Sequence, residues 1–348
     1  MIPFTLSTLS DLSTLNADTI IDVRAPSEFA EDHLPGAINL PVLSDAERAE
    51  VGTLYTQVSP FDARKIGGAL VAQNTASHLQ GPLAGKDGAW QPLVYCWRGG
   101  QRSGAFATIL SQVGWRVQLL HGGYRSYRRA VVRMLYDTPL THRFVVIEGG
   151  TGTAKTALLR HLAKAGAQTL DLEGLAGHRG SLFGHTGQAQ PSQKRFETGL
   201  AAALAPLSPD HPTFIEAESS KIGERIIPPS IWAAMSTADR VQISAPLEAR
   251  ARYLCQAYDD LIQNVDGLRS PIDQLRPYHS AAQVAAWHAQ AKEGDWQALA
   301  RGLIADHYDP RYAKSSASKP KPVFDLSLSD LSDAALQQAA DRLLERFC

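Results

Sequence analysis

Cysteine is scarce in this chain: Cys96, Cys255 and Cys348 are the only three in 348 residues. They are too few and too scattered for a disulfide framework or a cysteine-built zinc site. No apolar run approaches the ~18 residues needed to span a bilayer. The opening MIPFTLSTLSDL has no basic stretch ahead of its apolar residues, so it does not read as a secretory signal. A dominant charge is also missing, since 34 Lys and Arg against 35 Asp and Glu leave a net charge of −1. That balance excludes a polybasic nucleic-acid coat and leaves any nucleic-acid contact to a local patch. Internal repeats are absent. What is present is ample core material, 44% apolar residues, so the expectation is a soluble cytoplasmic protein without a membrane segment. At roughly 100–200 residues per domain, the length suggests two domains or three.

The N-terminal third alternates short β-branched runs with helical stretches. Strands are expected over 19–25 and 37–42 and from 93 and 116, with helices over 46–55, 63–77 and 103–113. Such alternation predicts α/β architecture with a doubly wound parallel sheet, whose ligand site lies at the carboxyl ends of the strands. A second α/β unit starts near His142: a strand RFVVIEGG, a Gly-rich turn, then a helix ending at Gly166. Further strands are expected from 168, 212 and 239, followed by helices. KSSASKPKP (314–322) reads as a linker, and an amphipathic helix begins near Asp333. The expected domains are 1–136, 137–313, and a tail of linker and helix over 314–348. The first two are joined by the helical pattern YRSYRRAVVRMLYD.

Two loops carry chemistry. Cys96-Trp97-Arg98-Gly99-Gly100-Gln101-Arg102 follows a strand and precedes a helix. A tight glycine loop, a helix N-terminus and two arginines are the conditions that lower a cysteine's pKa and make it a nucleophile. The second loop, Gly149-Gly150-Thr151-Gly152-Thr153-Ala154-Lys155-Thr156, nearly matches the P-loop, in which successive amides and a lysine wrap a diphosphate. Alanine replaces its second glycine at 154; alanine tolerates helical geometry, and its methyl group is expected to crowd the phosphates. Candidate magnesium or substrate contacts are Asp171, Glu173, Glu216 and Glu218 at strand ends, with His178 and Arg179 in the glycine-rich stretch after them. The identity of any metal ligands stays open. Arg250 and Arg252 read as an exposed helix face, and Cys255 as core.

Asp22-Val23-Arg24-Ala25-Pro26-Ser27-Glu28-Phe29, His33-Leu34-Pro35-Gly36-Ala37 and the Cys96 loop together resemble a rhodanese domain. Asp22 and Arg24 either order the loop or form a local strand-end turn. With the P-loop, and with CWRGGQRS, HGGYRSYR, DLEGLAGHRGSLFG, QPSQKRFE and EAESSKIG, the chain is similar to the tRNA 2-selenouridine synthase family over about residues 10–312. The resemblance implies an N-terminal rhodanese-like domain and a C-terminal P-loop NTPase-like domain. It implies a transferase acting on tRNA that carries wobble 2-thiouridine. The sulfur is geranylated by geranyl diphosphate, with Mg2+ accompanying the diphosphate and no tightly bound cofactor. Selenium from selenophosphate then replaces the sulfur, with Cys96 as the selenium-carrying residue or as an aid to direct attack.

Residues 88–136 contain no Asp or Glu but seven arginines. Arg125, Arg129 and Arg133 recur every four residues along one helix face, with Arg128 beside them. They are the expected tRNA phosphate contacts, and Trp97, Tyr124 and Tyr127 the expected stacking surfaces for an unstacked base. The competing readings are a sulfurtransferase fused to a P-loop NTPase or kinase acting on a small metabolite, and a non-catalytic RNA-binding module. Oligomeric state is not legible in the sequence.

Overall fold

The alternation of β-branched runs and helices produces two parallel sheets, each in its own unit. The computed structural model describes residues 1–263, 265–317 and 319–348. The first unit comprises Met1–Thr138 with Pro191–Pro206, and the second Pro139–Gln190 with Leu207–Cys348.

In the first unit the strands are β1 (Ile2–Phe4), β2 (Thr19–Asp22), β3 (Ala37–Asn39), β4 (Pro92–Tyr95) and β5 (Gln118–Leu120). They pair in parallel in the order β1-β5-β4-β2-β3. β1 is not among the strands expected from the sequence; it completes an edge beside β5. Asp22 is in register with Tyr95, so the carboxyl ends of β2 and β4 lie side by side. One core cluster of this unit includes Ile21, Val23, Val94, Phe106 and Leu110. Helix Gln193–Leu204 belongs here, although the expected boundaries place its residues in the second domain. Its Phe196, Leu200, Ala201 and Leu204 are buried, at the one-turn spacing that marks a core-facing helix.

The second unit has β6 (Arg143–Gly149), β7 (Gln168–Leu170), β8 (Pro212–Glu216), a two-stranded hairpin of β9 (Lys221–Ile222) and β10 (Arg225–Ile226), β11 (Asp239–Ser244) and β12 (Phe324–Ser327). The large sheet is parallel, in the order β12-β11-β6-β8-β7. The segment expected to be a tail is therefore part of the fold. Leu326 of β12 and Leu336, Ala339, Ala340 and Leu343 of helix Asp333–Phe347 share one apolar cluster with Val145, Ile147 and Phe214. Fully burying one leucine contributes about 1.5–3 kcal/mol, so these residues hold the sheet together. The joining helix also differs from expectation. It ends with the wide turn Arg133–Asp137, and residues 138–142 carry no regular structure before β6. Among the described residues no helix is long and apolar enough to cross a membrane.

Candidate active sites

Cys96 directly follows β4, and helix Gln101–Val113 begins five residues later. The backbone closes tightly around it. Gly99 has φ of +67°, and a Cβ there would stand 2.8 Å from the Leu120 carbonyl. Gly123 is tighter, because its Cβ would lie 2.2 Å from the Cys96 carbonyl oxygen. Only glycine fits such positions. The Tyr124 amide donates to that same oxygen at 2.8 Å, and the Arg125 amide to the Trp97 oxygen at 3.0 Å. Ser103 Oγ donates to Cys96 Sγ at 3.1 Å, and Cys96 is only 3% exposed.

Asp22 and Arg24 form a buried ion pair of 2.6 Å, and the Arg24 amide also donates to Asp22 Oδ1 at 2.9 Å, so the local strand-end turn is present as well. The Arg24 guanidinium also donates to the Asp32 carbonyl and lies 4.1 Å from the centre of the Tyr124 ring, over which Trp97 tilts. The pair is therefore packed against the neighbours of the cysteine loop. Asp32, which sequence reasoning missed, accepts from Tyr124 Oη at 2.7 Å and from Thr198 Oγ1 at 2.9 Å. Burial pushes its carboxyl up. Helix Gln193–Leu204 thus braces Tyr124, whose amide in turn holds the Cys96 carbonyl.

Arg98 and Gln101 are exposed, whereas Arg102 is half-buried and bonds Glu28 at 2.7 Å. Arg48 pairs with the same carboxylate at 3.0 Å. Burial raises the Glu28 pKa, but the Arg102 hydrogen bond and the two arginine charges outweigh it and hold the group below its ordinary value. Glu28, Glu31, Arg48, Trp97 and Arg102 line a cavity of about 270 Å³.

The expected tRNA face is partly corrected. Arg125, Arg129 and Arg133 are all exposed, as their spacing requires. Arg128 is not on that face; it pairs with the buried Glu197. Tyr124 and Tyr127 are each 1% exposed, so they are core residues and offer no stacking surface. The apolar side of this helix claims them. Trp97 remains half-buried at the loop.

In the second unit, Gly149 ends β6 and Lys155 starts helix Lys155–Lys164. Ala154 is the one non-glycine residue with positive φ among the described residues, at +60°. It is left-handed, a conformation that costs an L-residue roughly 1–2 kcal/mol. Ala154 is 4% exposed and belongs to the core cluster with Val145 and Leu158, while it also lines the P-loop cleft. The arginine expected on an exposed face, Arg250, is instead buried and clamps the loop. Its Nε and Nη2 donate to the Thr151 carbonyl at 2.9 and 2.7 Å, and its other edge pairs with Asp309. Arg252 is exposed as expected.

Thr156 Oγ1 donates to Glu173 Oε2 at 2.7 Å, and Lys155 Nζ to the Gly149 carbonyl at 3.3 Å. Register pairs Ile147 with Glu216, which brings the end of β8 to the loop. Glu216 accepts from the Glu173 amide at 2.8 Å, and burial, then the Asp171 charge, raises its pKa well above the ordinary value. Burial, then the Glu173 charge, pushes Glu218 up to about 8. Asp171 serves as a helix cap, accepting from the Gly174 amide at 2.7 Å. His178 Nδ1 accepts from the Gly180 amide at 3.2 Å, and burial lowers its pKa. Asp171 and His178 thus have structural partners, while Glu173, Glu218 and Arg179 line the P-loop cleft with Lys155, Arg160 and Arg311. Lys314 and Lys319, from the segment expected to be a linker, line it as well. Among the described residues no three His, Cys, Asp or Glu side chains group as a metal cage.

A cysteine loop on a rhodanese-type sheet and a phosphate loop on a P-loop-type sheet define a two-domain α/β transferase framework. Residues 5–130 match the rhodanese-like domain family, and residues 142–267 match the family described as the tRNA 2-selenouridine synthase AAA domain. The chain is 33% identical to the tRNA 2-selenouridine synthase of Hahella chejuensis over 330 residues, covering 86% of each. It is 30% identical to that of Psychromonas ingrahamii, covering 84% of this chain and 86% of the relative. Against that of Proteus mirabilis it is 37% identical, over 70% and 67%. Among solved structures, the N-terminal domain of a putative ATP/GTP-binding protein from Clostridium difficile 630 matches 38% of this chain and 99% of its own, at 33% identity and a TM-score of 0.32. The chain belongs to the tRNA 2-selenouridine synthase family.

Proposed function

We propose that the protein converts wobble 2-thiouridine in tRNA to 2-selenouridine in two steps, one at each loop. The observation that carries this reading is that one chain of this family holds both a glycine-braced cysteine loop and a P-loop with its lysine and threonine in place.

At the P-loop, the amides of 149–156 and Lys155 hold the diphosphate of geranyl diphosphate. The thiocarbonyl sulfur attacks C1 of the geranyl group, the C1–O bond breaks, and diphosphate leaves with the electron pair while the uridine N3 proton passes to solvent. Mg2+ binds mainly through substrate phosphates and one or two carboxylates. Thr156, Glu173 and Glu218 fit it, since two crowded carboxylates keep a proton that a cation would displace. When bound, it neutralises charge on the departing diphosphate.

The second step exchanges S-geranyl for selenium: geranylated uridine, selenophosphate and water yield 2-selenouridine, geranylthiol and phosphate. Selenium enters and leaves at the same oxidation level. Carrying it as a Cys96 selenosulfide, the form the family resemblance suggests, would require removing and restoring two electrons. Two versions balance unaided: selenium attacks C2 directly with Cys96 assisting, or the Cys96 sulfur first adds to C2 and expels geranylthiol. Selenium then displaces that sulfur as water takes the phosphoryl group. Arg125, Arg129 and Arg133 supply the tRNA phosphate contacts.

Nucleoside mass spectrometry tests this on 2-thiouridine tRNA with geranyl diphosphate, Mg2+ and selenophosphate. The wild type is expected to make selenouridine, Cys96→Ala to accumulate geranylated thiouridine, and Lys155→Ala to leave thiouridine unchanged. Unchanged thiouridine in every sample, with ATP hydrolysis that Lys155→Ala abolishes, would sink the reading in favour of a P-loop NTPase.

A further inference from the structure

The P-loop cleft is larger than a diphosphate needs. Its volume is about 1400 Å³, above the range of about 300–1,000 Å³ typical of small-molecule sites. Two cations line it away from the loop. Arg160 stands five residues beyond Lys155, and Lys314 five beyond Asp309, whose partner Arg250 holds the loop. At 1.5 Å of rise per residue, each lies about 7.5 Å further along its helix. Both are exposed, and neither pairs with a carboxylate among the described residues. An indole lines the same cleft. Of the six tryptophans, Trp232 is the most exposed, at 38%. Its helix, Pro229–Thr237, packs against β6, the strand that ends in the phosphate loop. Ile231 and Met235, four residues apart, bury one face of that helix and leave Trp232 off it. A tryptophan exposed singly on open surface needs no explanation, but this one shares a cleft with cations and an anion-binding loop.

We infer that Trp232 stacks on the wobble base of the tRNA at the phosphate loop, while Arg160 and Lys314 take the phosphates that flank it. The inference rests on the tRNA acceptor named above and adds the residue that positions its base. The sulfur must meet C1 of a donor whose diphosphate sits on the loop, so the nucleoside enters this cleft. An unstacked base needs a π-face in place of its former neighbours. Tyr124 and Tyr127, expected to offer one, are buried in the other unit. A mononucleotide is the rival occupant. It carries its phosphates at one end, on the loop, and leaves Arg160 and Lys314 without an anion. A polynucleotide brings a phosphate on each side of the base. In the sequence Trp232 is hidden within PSIWAAM, which reads as ordinary core.

The test measures binding of 2-thiouridine tRNA, and of the same tRNA abasic at the wobble position, to the full chain and its variants. The wild type is expected to prefer the intact tRNA about tenfold. Trp232→Ala binds the two alike, Trp232→Phe keeps the preference to within about threefold, and both variants bind pyrophosphate within about twofold of the wild type. Arg160→Gln weakens both tRNAs equally and reduces the salt slope by about one. Equal wild-type binding of the two tRNAs, or a preference surviving in Trp232→Ala with pyrophosphate binding intact, would overturn the inference. So would a Trp232→Ala variant that loses ATP affinity and keeps its tRNA preference, which would favour the mononucleotide. These outcomes leave the two-step reading standing; it falls instead if the wild type binds tRNA and leaves thiouridine unmodified, and both fall if the wild type binds no tRNA. A second measurement needs no variant. An anticodon stem-loop with 5-iodouridine at the wobble position, irradiated with wild-type protein and pyrophosphate, is expected to cross-link to Trp232. Cross-links confined to the first unit would contradict the inference.

Discussion

Both functional loops leave the carboxyl end of an interior parallel strand, Cys96 after β4 and Gly150 after β6, and both lead into a helix. Their surroundings differ. The cysteine loop is held by backbone: glycines at 99 and 123 let three segments approach, and the nearby cations Arg24, Arg48 and Arg102 are already paired with Asp22 or Glu28. The phosphate loop is held by a side chain, Arg250, and faces a cleft where lysines and arginines stand opposite two crowded carboxylates. One scaffold thus supports a sheltered thiol in one unit and a cleft lined by lysines and arginines in the other. The side chains around the loop, rather than the strand–loop–helix unit, decide which chemistry results.

The comparison breaks most visibly at Gly123. Gly123→Ala places a methyl group against the Cys96 carbonyl in a left-handed position, so a loss of about 2–4 kcal/mol is expected in the first unit. Thermal unfolding measures it, with pyrophosphate binding by the second unit retained. Next comes Arg250→Met, which removes the bonds to Thr151 and leaves Asp309 alone. A charged hydrogen bond contributes about 1.5–3 kcal/mol, so pyrophosphate affinity is expected to fall about tenfold, as calorimetry would read.

The buried carboxyl of Glu218 yields a pH signature in the second unit. Unfolded, Glu218 gives up its proton near 4.5, whereas folded it holds it to about 8. The folded state therefore binds more protons across that window, and stability falls as pH rises through it. Metal-free protein is expected to melt several degrees lower at pH 8.5 than at pH 6, roughly 5 °C. Glu218→Gln removes most of that difference, and an unchanged difference would show that other groups cause it.

The smallest effect is at Ala154. Glycine relieves the left-handed strain of roughly 1–2 kcal/mol but gives up a buried methyl worth about 0.8 kcal/mol and adds freedom to the unfolded chain. Ala154→Gly should therefore change stability by less than about 1 kcal/mol and leave pyrophosphate affinity within about twofold. A tenfold gain in affinity would mean that the methyl crowds the phosphates after all.

What could be read from the sequence was contiguous. The Cys96 loop and the 149–156 loop each carry their glycines, nucleophile or lysine, and flanking strand and helix within about a dozen residues. What escaped was long-range. Asp32 meets Thr198 across stretches of sequence that look independent, and Arg250 reaches Thr151 from a helix whose charges read as solvated. Tyr124 and Tyr127 looked like stacking platforms because a basic run hides the apolar face beside it. β12 was invisible because FDLS is only four residues long and lies in a Ser- and Pro-rich stretch, and pairing with β11 makes it a strand.

The central claim is that the two loops perform successive steps on one nucleoside, and a preformed intermediate tests it most directly. tRNA carrying S-geranyl-2-thiouridine, given to Lys155→Ala with selenophosphate and no geranyl diphosphate, is expected to become selenouridine at the wild-type rate, while Cys96→Ala leaves it unchanged. Failure of Lys155→Ala on this substrate, or conversion by Cys96→Ala, would contradict the division of labour.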